Sequence, residues 1–122
     1  MDVEEFRNYC LSFRGAYEKM PFTGVRDPSS RDLLCFYVFN KWFCFVNIGI
    51  FKSCCLKSTP EAAVALRERF EGIKPAWHMN KRTWNDVCFN QDVPDQKIRE
   101  LVASSYNLVV SQLTRKEKEQ LQ

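Results

Sequence analysis

Between Leu33 and Leu56 the chain runs through β-branched and aromatic residues with only two charges, Lys41 and Lys52, and this stretch decides the fold class. Side chains of that kind fit a pleated, half-buried surface better than a helix. The run breaks at Asn40-Lys41 and again at Gly49, so it reads as a strand, a tight hairpin and two further strands of an antiparallel meander. Taking Asn40-Lys41 as a two-residue turn sets Phe39 opposite Trp42 and Val38 opposite Phe43. Alternation then gives one face Leu34, Phe36, Val38, Phe43 and Phe45. The other face receives Leu33, Cys35, Tyr37, Phe39, Trp42, Cys44 and Val46.

Helix signals flank the meander. Asp2 is a cap with Glu5 three residues on, and Val3, Phe6, Cys10 and Phe13 follow at helical spacing until the stop at Arg14-Gly15. Residues 17–22 read as a short strand closed by Pro21, and residues 23–31 as an exposed, turn-rich loop. Thr59-Pro60-Glu61 opens a second helix with Ala63, Leu66 and Phe70 inward, and Gly72 ends it. Asn80 caps a short turn through Lys81-Arg82, and residues 84–89 resume strand character. From Pro94-Asp95 a last helix buries Ile98, Leu101, Val102, Ser105, Val109 and Leu113. The expected fold is therefore α+β: a single antiparallel sheet of about five strands with helices packed on one face. It occupies residues 1–114, and the charged tail 115–122 is expected to fray.

A chain of 122 residues suits one domain, and ten Phe with three Trp supply a core of rings. A net charge of +3 is too small to identify a nucleic-acid protein by electrostatics alone. Six cysteines, at 10, 35, 44, 54, 55 and 88, sit mostly within apolar strand-like runs, and the start Met-Asp-Val-Glu-Glu is no signal segment. Reduced thiols in a cytoplasm are the expectation, with no metal and no cofactor. No run approaches the roughly 20 apolar residues of a membrane helix, so no membrane is expected as a partner.

Several blocks together carry a resemblance to a known family. They are residues 10–16 (Cys-Leu-Ser-Phe-Arg-Gly-Ala) with Glu18, residues 36–38 with Lys41, Phe43 and Asn47, and Leu56-Lys57 with Pro60-Glu61. More specific are residues 72–85 (Gly-Ile-Lys-Pro-Ala-Trp-His-Met-Asn-Lys-Arg-Thr-Trp-Asn) and the segment from Pro94-Asp95 to Ser105-Tyr106. On these the chain resembles the small bacterial proteins of the MmcQ/YjbR family over nearly its whole length. The resemblance implies a frataxin-like (CyaY-like) topology in a double-wing arrangement, and contact with double-stranded DNA. Two departures stand out: the hairpin face carries Tyr37, Phe39 and Trp42, and the hairpin turn is not glycine-rich.

The loop from Trp77 to Trp84 puts two cations, an amide, an imidazole and two indoles within eight residues, a composition suited to phosphate contact and stacking. The competing reading makes Trp77 and Trp84 core plugs, Asn80 a turn cap, His78 a backbone partner, and Lys81 and Arg82 solvated. Lys52 and Lys57, on alternating strand positions, extend a basic strip toward Lys74 and Lys81, unless they serve only to block edge pairing. The candidate nucleic-acid residues are thus Lys57, Lys74, His78, Lys81 and Arg82. A lone histidine, no glycine-rich phosphate loop and no carboxylate pair point away from an enzyme. The leading expectation is a non-enzymatic, DNA-associated domain working through phosphates with little sequence specificity. The alternative is a protein-interaction module in which Tyr37, Phe39 and Trp42 dock a protein partner or a second copy.

Overall fold

The computed structural model describes residues 1–76 and 79–122. Asp2 accepts a 2.8 Å hydrogen bond from the Glu5 N–H and starts helix α1 (Val3–Leu11), with Phe6 and Cys10 on its buried side. After Gly15, at φ 75°, the chain enters β1 (Tyr17–Lys19), shorter than the sequence suggests. The loop that follows holds one helical turn, α2 (Pro28–Arg31), capped by Asp27.

The meander forms as β2 (Leu33–Val38), β3 (Lys41–Asn47) and β4 (Ser53–Lys57). Thr59 caps α3 (Pro60–Arg69), and the Asp92 carboxylate then accepts from the N–H groups of Glu71 and Gly72 at 2.6 and 2.8 Å. The three-residue β5 (Ile73–Pro75) leads to β6 (Trp84–Cys88) and the long helix α4 (Asp95–Ser111). All pairings are antiparallel, in the order β1-β2-β3-β4-β6-β5, so the sheet has six strands where about five were expected. The additional one, β5, is too short to carry a period of its own.

Two parts of the hairpin differ from the sequence reading. Val38 pairs with Lys41 and Tyr37 with Trp42, so the turn residues are Phe39 and Asn40, at φ 47° and 63°, not Asn40 and Lys41. Both are left-handed, as a primed hairpin turn requires. Phe39 tolerates this because its ring packs against the helix-side core. Beyond the turn the register slips: Phe36 pairs with Cys44, which leaves Phe43 as a bulge residue. Cys44 and Val46 therefore join the helix-side core, and Phe45 joins the opposite face, the reverse of simple alternation.

Helices α1, α3 and α4 cover one face, as expected. Phe6, Phe36 and Phe43 are each 1% exposed or less there, and each contributes about 2–3 kcal/mol by burial. The charged tail takes the form of a short helix, α5 (Arg115–Gln120), started by a reciprocal Thr114–Glu117 capping box. Leu121 then packs back against the helix-side core and fills the space beside Gly15.

Candidate nucleic-acid interface

The second face of the sheet lies opposite α1, α3 and α4, is bordered by α2 through Ser29, and has a different chemistry. Its rings form a row across the strands. Tyr17 stacks on Tyr37 at 5.3 Å, Tyr37 meets Trp42 edge-on at 5.9 Å, Trp42 meets Phe45 at 5.5 Å, and Phe45 reaches Trp84 at 5.8 Å. Phe22, from the loop after β1, closes on Trp42 at 6.2 Å. Tyr37, Phe45 and Trp84 are consequently buried, and Trp42 is half-buried. Tyr37 and Trp42 thus lie in this row, while Phe39 belongs to the helix side, and the three do not make one exposed patch.

Lysines frame the row. The Lys19 Nζ lies 5.5 Å from the Tyr17 ring centre and 5.8 Å from that of Tyr37, a cation–π arrangement. Lys52 and Lys74 border a groove of about 500 Å³ that also takes in Leu33, Phe45, Cys55, Ala76 and Asp86. Lys57 borders a separate recess with Trp42, Met79 and Trp84; its Nζ donates to Gln112 Oε1 at 2.9 Å and its backbone N–H to Ser105 Oγ at 2.9 Å. Lys81 and Arg82, both exposed, meet Arg67 of α3 in a third recess floored by Val64. The structure therefore divides the candidate cations among three neighbouring depressions instead of one continuous strip.

In the loop before β6, Asn80 Oδ1 accepts from the Arg82 N–H at 3.0 Å, and its carbonyl accepts from Thr83 and Trp84 at 3.1 and 2.9 Å. Asn80 is thus the expected turn cap, and Trp84, 6% exposed, is the expected core plug. The readings placed on Trp77 and His78 lie outside the described residues.

The cysteines are mostly wall material. Cys10, Cys35, Cys44, Cys54 and Cys88 are buried; Cys55 is half-buried, and its Sγ donates to Asp86 Oδ1 at 3.5 Å. Burial pushes the Cys35 thiol up to about 12. It raises Cys55 as well, with the Asp86 carboxylate adding to the effect. Adjacent Cys54 and Cys55 point to opposite faces, as strand geometry demands. Among the described residues no three His, Cys, Asp or Glu side chains converge as a metal site, and no helix is long and apolar enough to cross a membrane. Lys19, Arg67, Cys55 and Asp86 were missed as site residues. Alternation along β1, β4 and β6 carries the signal for three of them, whereas Arg67 is brought in only by the packing of α3.

Known proteins are similar to this chain in sequence and fold. The family model for YjbR matches residues 11–108. The chain is 32% identical over 66 residues to YbdF of Escherichia coli O157:H7, covering 54% of each protein. It is 38% identical over 58 residues to YjbR of Escherichia coli K12, covering 48% of this chain and 49% of that protein. The chain spans about half the length of the curated relatives it matches. A crystal structure of a DUF419-domain protein from Deinococcus radiodurans superposes with a TM-score of 0.84 at 28% identity, over 98% of this chain and 87% of that one. A Pseudomonas syringae protein gives 0.69 at 26% identity, over 88% and 98%. With the family match covering all six strands, α2, α3 and most of α4, the chain belongs to the YjbR family.

Proposed function

We propose that this domain is a non-enzymatic, DNA-associated module that holds the phosphate backbone against the sheet face opposite α1, α3 and α4, with little sequence specificity. One observation carries the reading. Lys19, Lys52, Lys57 and Lys74 border that face, and Asp86 is the carboxylate set among them. Helices α1, α3, α4 and α5 instead carry both signs in balance, eight carboxylates beside Arg7, Arg67, Arg69, Lys97, Arg99, Arg115, Lys116 and Lys118, so the mostly one-signed stretch is the lysine border. A lysine border of this kind is a local positive field, which is what attracts a polyanion. Lys81, Arg82 and Arg67, with Glu61 beside them, add further cations ahead of the start of β6. Buried, protonated thiols suit a reducing cytoplasm.

A salt titration on two unrelated duplexes tests this. Each phosphate contact adds about 0.9 to the slope of log affinity against log salt, so three contacts predict about a 40-fold loss between roughly 50 and 200 mM. Lys52→Glu with Lys74→Glu should weaken both duplexes alike and flatten the slope, as should Lys81→Glu with Arg82→Glu. No detectable binding at the lower salt, or slopes unmoved by both pairs, would remove the proposal.

A further inference from the structure

The groove between Lys52 and Lys74 holds three charges, with Lys74 directly opposite Asp86 across the β5–β6 pair. None of the ion pairs among the described residues involves Lys52, Lys74 or Asp86, although all three border the same depression. Among the described residues the half-buried Asp86 carboxylate receives one weak donor, the Cys55 thiol at 3.5 Å, which burial keeps protonated. A carboxylate only accepts hydrogen bonds, so its unused capacity calls for N–H or O–H donors. The two ammonium groups call for an anion, and the apolar floor of Leu33, Phe45 and Ala76 calls for a flat, poorly hydrated body between them. A volume of about 500 Å³ lies within the roughly 300–1,000 Å³ usual for small-ligand sites.

From this combination we infer that the groove is a binding site for one unpaired guanine nucleotide, with the base edge on Asp86 and the phosphate on Lys52 and Lys74. Guanine is the base whose pairing edge presents two adjacent donors, the ring N1–H and the exocyclic amine, and a carboxylate can take both. Adenine and cytosine offer the amine alone, and uracil the imino group alone. In a duplex that edge is occupied by pairing, so the site selects an unstacked base, as single-strand readers do. The inference deepens the reading of the face as a nucleic-acid surface and rests on it when the nucleotide belongs to a strand. The same chemistry is offered by a free guanosine monophosphate.

Two arms separate these sources. In the first, titration calorimetry of the wild-type protein with guanosine and inosine monophosphates should show guanosine bound at least roughly tenfold more tightly, because inosine lacks the exocyclic amine. In the second, a twelve-nucleotide thymidine strand with one central dG is compared with the all-thymidine strand by fluorescence anisotropy, and the dG strand should bind several-fold more tightly. Asp86→Asn, nearly the same shape, should abolish both preferences, and its circular dichroism reports whether the fold is kept. Equal affinity for the two mononucleotides overturns the inference even if the variant does not fold. If the thymidine strand binds with a steep salt dependence while dG adds nothing and the mononucleotides are not distinguished, the face remains a phosphate surface and the guanine site falls. Selective capture of the mononucleotide without strand binding keeps the site and overturns the nucleic-acid face. No binding in either arm removes both.

Discussion

Ser105 shows how one side chain can hold two strands together. It is fully buried on α4; its Oγ donates to the Phe43 carbonyl at 2.5 Å and accepts from the Lys57 N–H at 2.9 Å. Those two backbone groups need it because Phe43 is the bulge residue and the β3–β4 ladder stops at the Cys44–Leu56 pair. Ser105→Ala should therefore destabilise the domain by about 2–3 kcal/mol, the cost of stranding buried polar groups. The exposed Ser111, whose Oγ reaches only the Leu108 carbonyl, is the control, and Ser111→Ala should stay within about 0.5 kcal/mol. Urea melts of the two variants decide it: equal small losses would mean that water satisfies the bulge. The sequence places Ser105 on the buried stripe of α4 but gives no sign of this role, because the role exists only once the bulge does.

At the scale of elements, the hairpin separates what a pattern can reveal from what packing decides. Two strands joined by a two-residue turn were legible from the break in the apolar run; which two residues turn was not. Propensity argues against an aromatic residue in the left-handed region, yet Phe39 takes it because its ring is held on the helix-side core. Tyr17 secures the other half of the turn, its hydroxyl accepting from the Asn40 N–H at 3.0 Å and donating to Asn40 Oδ1 at 2.9 Å. Asn40→Ala keeps the left-handed demand and loses the side-chain bond, so it should cost about 1–2 kcal/mol. Asn40→Gly loses the same bond without the steric demand and should cost less than half as much. Equal losses for the two variants in thermal melts would show that the hydroxyl contact, not backbone geometry, sets the turn. The site follows the same division. Lys52 and Lys57 were readable as strand positions and Lys74 as the far end of a basic strip, but the groove is built from segments near residues 29–33, 45–55, 74–76 and 86–91, which only the strand order brings together.

For the whole molecule, caps at Asp2 and Thr59 and the long apolar stripe of α4 specified a helix-covered antiparallel sheet, whereas the capped tail helix escaped notice because its composition is almost wholly charged. What the architecture adds is the burial of thiols on both faces of one sheet, and this has a consequence for pH. Burial pushes Cys35 up to about 12, and it raises Cys44 and Cys55 too. In the unfolded chain the same thiols ionise near 8.5 or so. Above that pH the unfolded chain has released protons that the folded chain retains, so stability falls as pH rises and continues to fall until the folded values are passed. Each such thiol contributes about 1.4 kcal/mol per pH unit, and three together about 4 kcal/mol per unit. Tyr9, Tyr37 and Tyr106, also raised chiefly by burial, add the same sign above about pH 10. The urea midpoint should therefore hold steady between about pH 6 and 8 and drop steeply between about 8.5 and 10.5. Cys35→Ala removes one of these protons and should make the drop shallower by about 1.4 kcal/mol per unit, whatever it does to stability at neutral pH. A midpoint that stays flat to about pH 10, or a slope unchanged in Cys35→Ala, would mean that these thiols ionise alike in the folded and unfolded chain and that the sheet is wetter than its packing implies.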